Sequence, residues 1–272
     1  MGKIMPIRTR FQVRHISREE FYDLDYQVMG IAFEIHNEFG PFCDEKIYQV
    51  ELAERCQKRS LGTVDLEEPI YVSCHGFSKN YYIDLLLNHS VMYELKTAPA
   101  LTNDHKKQAI NYLLLAGLNC GKLINMGTAS VQHEFVSTTM TPQERYQFMI
   151  HDQHWNNLDQ DSEWMKQTMV ELLSEWGAFL DTNLFYEAIE FYRGGKENVI
   201  KKVDIKKDER ILGEQKVHLL NSKTAFKISA AKRYVAHYEQ HLRLFLRHTS
   251  LMAIQWINFS NHDITFKTIL NR

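Results

Sequence analysis

Residues 81–97 read YYIDLLLNHSVMYELKT. Two β-rich apolar runs, YYIDLLLN and VMYELKT, are parted only by Asn88-His89-Ser90, a spacing that predicts an antiparallel hairpin. Into this apolar pattern the chain writes one carboxylate, Asp84, and ten residues later the alternation Glu94-Leu95-Lys96. Residues two apart on a strand share a face, so Glu94 and Lys96 point the same way, and the hairpin brings Asp84 close to Glu94 on that face.

The stretches around the hairpin define an α/β unit. From Arg18 to Phe39 the apolar residues Phe21, Leu24, Val28, Ile31, Ala32, Ile35 and Phe39 keep helical spacing, and Gly40-Pro41 ends the run. A second helical pattern covers about 44–59. Strands are expected at about 69–75, 80–88 and 91–97, a helix at about 103–117, then strands at GKLINMG and HEFVST. The order is helix, helix, three strands, helix, two strands, which predicts a mixed sheet flanked by helices.

Polar, turn-rich residues 139–161 read as a linker, separating a domain at 1–138 from a second at 162–272. The second resembles the first. VELLSEWGAFLDTNLFYEAI (170–189) lies without a gap on FEIHNEFGPFCDEKIYQVEL (33–52), matching Glu34 with Glu171, Gly40 with Gly177 and Tyr48 with Phe185. VHLLNSKTAFKIS (217–229) follows the hairpin with one residue dropped in the turn, and LMAIQWINF follows LNCGKLINM at an offset of 133. The expectation is an internal duplication of one α/β unit, its copies packed as a pseudo-dimer. In the second copy His218 stands for Asp84, Lys227 for Glu94, Ser229 for Lys96 and His241 for Gln108, a set that cannot hold Mg²⁺ as the first could.

Composition excludes some classes. With 272 residues, 44% of them hydrophobic, the chain can bury a core. It contains no run of eighteen apolar residues, and MGKIMPIRTRFQVRH lacks the apolar centre of a signal peptide, so a cytoplasmic protein with no membrane partner is expected. Cys43, Cys56, Cys74 and Cys120 contain no C-x-x-C pair and read as reduced thiols, with no bound zinc expected. The net charge of −2 hides an asymmetry: residues 1–162 carry 15 basic against 21 acidic side chains, and residues 163–272 carry 17 against 13. Lys201, Lys202, Lys206, Lys207 and Arg210 fall in the most basic stretch, where they could contact phosphates without reading sequence or simply form a solvated basic face.

A strand carboxylate, a Glu-x-Lys on the next strand and a nearby helix carrying Glu34 supply what a Mg²⁺-dependent phosphodiesterase needs: oxygen donors for a hard cation, and an ammonium to orient water or steady a charged transition state. The same residues could form only an ion pair at a strand end. His36, His105 and the cluster His151, Asp152 and His154 offer no partner at metal-ligand spacing, and Tyr48 reads as a core aromatic.

Taken in order and spacing, GIAFEIHNEFGPFCDEKIYQVEL, YYIDLLL, YELKT and HKKQAINYLLLAGLNCGKLINMG resemble the GxxExxY group of the PD-(D/E)XK nuclease superfamily over about residues 24–137. The resemblance implies a restriction-endonuclease-like fold and nucleic acid as partner, DNA before RNA. It implies Asp84 and Glu94 as ligands of Mg²⁺ or Mn²⁺ with the carbonyl of Leu95, Lys96 as the catalytic lysine, and Glu34 as the helical acid that helps hold the metal. Gln108 and Tyr112 match the Q-x-x-x-Y helix motif. Phe42 replaces the first glycine of the group's signature, so the turn before the second helix is expected to differ, whereas Glu45 and Tyr48 are kept. Glu45 fits a catalytic, a supporting or a helix N-terminal role equally well. The competing functions are a non-catalytic nucleic-acid-binding or assembly module on a nuclease fold, and a nucleotide- or RNA-processing hydrolase.

Overall fold

The structure is a computed structural model that describes residues 5–271; the first residues of the segment read for a signal peptide, and the outermost ends of both expected domains, lie outside them. The chain divides into two compact units, Met1–Pro142 and Gln143–Arg272.

The first unit runs β1 (Ile7–Thr9), α1 (Arg18–Phe39), α2 (Glu45–Lys58), β2 (Val64–Cys74), β3 (Phe77–Leu87), β4 (Val91–Lys96), α3 (Asn103–Ala116), β5 (Cys120–Asn125) and β6 (Gln132–Ser137). Its six strands form one sheet in the order β1-β2-β3-β4-β5-β6, parallel only between β4 and β5. That parallel step needs a crossover, which α3 provides. Helix α1 starts on a capping box from Ser17 to Glu20 and ends at Gly40, whose φ of 70° and ψ of −166° are costly for a residue with a side chain. One face of the sheet is covered by α1 and α2, with Val28, Ile31, Ile35, Tyr48 and Leu52 packed on Leu85, Leu87, Val91, Tyr93 and Leu95.

The hairpin forms as its composition predicts. Leu85 pairs with Tyr93 and Leu87 with Val91. Asn88 and His89 both take left-handed backbone, φ 54° and 53°, while the Ser90 amide donates to the Leu87 carbonyl, so the turn has the primed geometry that suits twisted strands. Since Val91, Tyr93 and Leu95 enter the α1–α2 core, alternation sends Glu94 and Lys96 to the other face.

The second unit runs β7 (Met149–His154), α4 (Gln160–Trp176), α5 (Thr182–Tyr192), α6 (Lys196–Val199), β8 (Ile200–Lys207), β9 (Arg210–His218), β10 (Thr224–Ser229), α7 (Val235–Arg247), β11 (Ala253–Ser260) and β12 (Asp263–Leu270). It holds a four-stranded sheet, β10-β11-β12-β7, and a separate two-stranded ribbon of β8 and β9. From α4 onward, the short α6 apart, the element order repeats that of the first unit from α1. Val91↔Cys120 and Cys120↔Ser137 in the first unit answer to Thr224↔Ala253 and Ala253↔Leu270 in the second, each residue displaced by 133. Gly177 ends α4 at φ 77°, ψ −177°, close to Gly40. Asn125 clasps both the amide and the carbonyl of Ala98, and Asn258 does the same to Ala231.

Two expectations need correction here. The stretch 139–161 is not a free linker: β7 pairs in parallel with β12 at the sheet edge, and Trp155 is buried. Among the described residues β9 and β10 share no ladder; just past the end of β9, Leu219 forms one isolated antiparallel bridge with Ala225. Displaced by 133 from the paired Leu86 and Met92, that bridge makes Val217 the register counterpart of Asp84, with His218 one position beyond. Alternation along β8 puts Lys201 and Lys207 on one side and Lys202 and Lys206 on the other. Lys202 is paired with Glu214 at 2.6 Å and Lys206 with Asp204 at 3.8 Å. Arg210 lies across from Lys207.

Candidate active site

Beyond Leu85 and Tyr93 the β3–β4 ladder gives way to side chains. The Leu95 amide donates to Asp84 Oδ2 at 2.8 Å, and the Asp84 amide donates to Glu94 Oε1 at 3.3 Å. Each carboxylate thus satisfies the opposite strand's backbone, which explains why an acid belongs inside this apolar strand. Lys96 bends back between them. Its Nζ donates to the Leu95 carbonyl at 2.7 Å and lies 3.6 Å from Asp84 and 3.7 Å from Glu94.

The helix contributing to this cluster is α2, not α1. Glu45, its first residue, lies 3.8 Å from Lys96 Nζ and beside the Thr97 backbone. One turn on, buried Gln49 lies beside Asp84 and helps to lower its pKa, while Gln49 Oε1 has no hydrogen-bond partner among the described residues. The i, i+4 spacing of Glu45 and Gln49 was a legible signal for one functional face of α2. Close approach of the loop after β5 supports this end of the site: a Cβ on Gly127 would lie 2.6 Å from the Thr97 backbone.

Glu34 takes no part. It is exposed on α1 and ion-pairs with Arg59 just past the C-terminus of α2, whose 14 residues put about 20 Å between that end and Glu45. The sequence expectation of Glu34 as a metal ligand is therefore corrected: the helical acid beside Lys96 is Glu45. Gln108 and Tyr112 do approach the cluster from α3. Gln108 Nε2 donates to the Tyr112 hydroxyl at 3.0 Å, and Tyr112, packed edge-on to Tyr81, lies within the fields of Glu94 and Asp84.

Burial dominates the electrostatics. Glu94, only 1% exposed, is held well above the usual carboxylate range by desolvation and then by the charge of Asp84. Asp84 is raised by burial against the opposing pull of Lys96, and Glu45 is raised by burial. One ammonium thus faces three carboxylates in a largely dry pocket.

The turn ahead of α2 forms without a glycine at Phe42, which is almost fully exposed and has no positive φ. Tyr48 is buried as expected, but it does more than fill space: its hydroxyl donates to the Gly40 carbonyl and accepts from the Cys43 amide at 3.1 Å, tying α1 to α2. His36 bonds the Thr128 carbonyl, His105 caps α3 through Thr102, His151 pairs with Asp263 and Asp152 with Lys166.

In the second unit the peptide that corresponds to Leu95 belongs to Ile228. The Tyr186 hydroxyl accepts from the Ile228 amide at 2.7 Å and donates to its carbonyl at 3.0 Å, taking both groups that Asp84 and Lys96 engage in the first unit.

Among the described residues no group of three or more His, Cys, Asp or Glu side chains is arranged to hold a metal ion. The donors that do converge, Asp84, Glu94 and the Leu95 carbonyl, are all oxygens and carry more negative charge than Lys96 offsets, and the unpartnered Gln49 oxygen lies beside them. This set fits a hard, hydrated divalent cation. No helix of the described residues is long and apolar enough to cross a membrane.

The curated proteins contain no match to the chain. A solved structure titled "Crystal structure of SSO0001" is similar with a TM-score of 0.30 and 14% identity over 46% of this chain and 62% of that one, so the match spans less than two thirds of its length. Residues 22–137, the segment that holds Asp84, Glu94, Lys96, Glu45 and the Gln108–Tyr112 pair, match the family model of the PD-(D/E)XK nuclease superfamily.

Proposed function

We propose that the first unit is a divalent-metal-dependent nuclease of the GxxExxY group that hydrolyses phosphodiester bonds, with DNA as its substrate, and that the second unit is a duplicated copy without catalytic chemistry. The observation that carries the reading is the convergence of Asp84, Glu94 and the Leu95 carbonyl on Lys96 Nζ. Proteins of the superfamily that matches residues 22–137 are usually metal-dependent nucleases.

Asp84, Glu94 and the Leu95 carbonyl would hold Mg²⁺ or Mn²⁺, the lysine ammonium occupying the cationic position among these oxygens in the structure described. When bound, the ion lowers the pKa of a water and offsets charge on the scissile phosphate. Lys96 then turns its ammonium to the developing negative charge on phosphorus, or to the attacking water. Glu45, 3.8 Å away, helps aim that ammonium, Gln49 lies beside the Asp84 carboxylate, and the Gln108–Tyr112 pair presents donors on the α3 side, where a phosphate oxygen can accept them. The second unit supports the asymmetric reading, because the Ile228 peptide is already satisfied by Tyr186 and no carboxylate stands at the Glu94 position.

The test is degradation of labelled DNA and RNA with Mg²⁺ or Mn²⁺, beside a chelator control and Asp84→Ala. Cleavage of DNA that stops in chelator and in the variant is expected. Undiminished hydrolysis in either control overturns the mechanism, and no hydrolysis of either substrate returns the chain to the non-catalytic reading.

A further inference from the structure

In the second unit α7, β9, β10 and β11 enclose a cavity of about 450 Å³, within the range of small-ligand sites, roughly 300–1,000 Å³. β9 and β10 share no ladder here, only the isolated Leu219–Ala225 bridge, and of all α7 residues only Leu246 is buried. The walls are unusual in charge. Lys216, Lys227, His218 and His241 face it, and no carboxylate does. Neither Lys216 nor Lys227 is in an ion pair among the described residues. The nearby acids are committed elsewhere: Glu190 to His218 at 3.2 Å, and Glu239 to Arg243 and Lys267 at 2.7 Å each. Tyr238 and Phe245 supply aromatic surface on the helix side.

At the offset of 133 that relates the two sheets, Lys227, His241 and Phe245 stand where Glu94, Gln108 and Tyr112 stand in the first unit. A place that gathers oxygen donors for a cation in one unit gathers nitrogen donors and ring faces in the other. We propose that this cavity binds a nucleotide through its phosphate, with Lys227, Lys216 and His241 as donors and Tyr238 and Phe245 flanking the base. The phosphate could belong to a free nucleotide or to the end of a strand. The choice of a nucleotide rests on the nuclease reading; the cavity and its charge do not.

Binding is measured by calorimetry on the full chain carrying Asp84→Ala, in chelator, so that nothing is hydrolysed. The probes are inorganic phosphate, a nucleoside monophosphate, and one single-stranded oligonucleotide with and without a 5′-phosphate. Saturable binding of the monophosphate assigns a free nucleotide; binding only of the phosphorylated oligonucleotide assigns a strand end; both support the proposal. Lys227→Gln should weaken that binding roughly ten- to a hundredfold, the scale of a lost charge-assisted hydrogen bond. His241→Ala, on an exposed helix position, should weaken it by less. With Asp84 restored, both variants should keep wild-type hydrolysis by the first unit, and their circular dichroism should be unchanged. Absence of saturable binding by every probe, or equal affinity in wild type, Lys227→Gln and His241→Ala, overturns the proposal. Neither outcome bears on the nuclease assay, and an inactive first unit leaves this titration readable.

Discussion

Replacing Lys96 with Met keeps the length of the side chain and removes the one cation from among three carboxylates. Asp84, Glu94 and Glu45 lie 3.6, 3.7 and 3.8 Å from Nζ, so each pair is worth about 4–5 kcal/mol of gross attraction at an effective dielectric near 20. The net effect is smaller because the acids left behind can take up protons; breaking a buried ion pair costs about 3–5 kcal/mol. The pH dependence has a definite sign. These carboxylates already titrate above their ordinary range, raised first by burial. The folded chain therefore holds protons that the unfolded chain releases, and stability is lost as pH rises from the ordinary carboxylate range, about 4, through the folded values. Without Lys96 the folded values rise further and the loss deepens. In chelator, urea unfolding at pH 8 should show Lys96→Met less stable than wild type by about 3–5 kcal/mol, and the deficit should shrink at pH 5. Millimolar Mg²⁺ should narrow it at pH 8 by replacing the missing charge. A deficit that is the same at both pH values, or below about 1 kcal/mol at pH 8, the scale of an exposed pair, would refute the account of Lys96 as counter-charge to this cluster.

Glu94→Gln should lower hydrolysis by about a thousandfold with unfolding little changed at pH 5, since one of two carboxylate donors is lost and the metal supplies several kcal/mol of barrier lowering; initial rates against metal concentration check this. Glu34→Gln should leave the rate near wild type, whereas Glu45→Gln should lower it at least tenfold; equal effects of the two would mean that the helical acid has been misplaced. Tyr48→Phe should leave the Gly40 carbonyl and Cys43 amide without their partner and cost about 1–3 kcal/mol in urea unfolding.

Most of the first unit could be read from its residues because the signals are local. The hairpin, its turn and the face shared by Glu94 and Lys96 follow from period-two alternation and a short polar turn. The helical acid does not. Both α1 and α2 carry glutamates, and periodicity tells which face of a helix is apolar but not which end of it meets the sheet edge where Asp84 emerges. Glu34 lies on the exposed face of α1, as its neighbour Phe33 shows by being 42% exposed, whereas Glu45 opens α2 beside Thr97. Strand β7 was illegible for another reason: its burial is poor and its partner β12 lies more than a hundred residues later, so no local pattern marks it.

The two units part where scaffold ends and chemistry begins. What they hold in common is backbone bracketing: left-handed glycines closing α1 and α4, Asn125 and Asn258 clasping the strand exits, and matching registers from β4 to β6 and from β10 to β12. None of these groups could act on a substrate. What differs sits at one peptide. In the first unit the Leu95 amide and carbonyl are taken by Asp84 and Lys96, two charged groups that burial makes costly unless a further cation or proton joins them. In the second, one neutral hydroxyl from Tyr186 does both jobs. An exchange of that kind removes a standing electrostatic penalty and with it the carboxylate oxygens that a cation would need. The first unit's retention of the penalty therefore argues for use of the site, since folding alone would have been served better by the tyrosine.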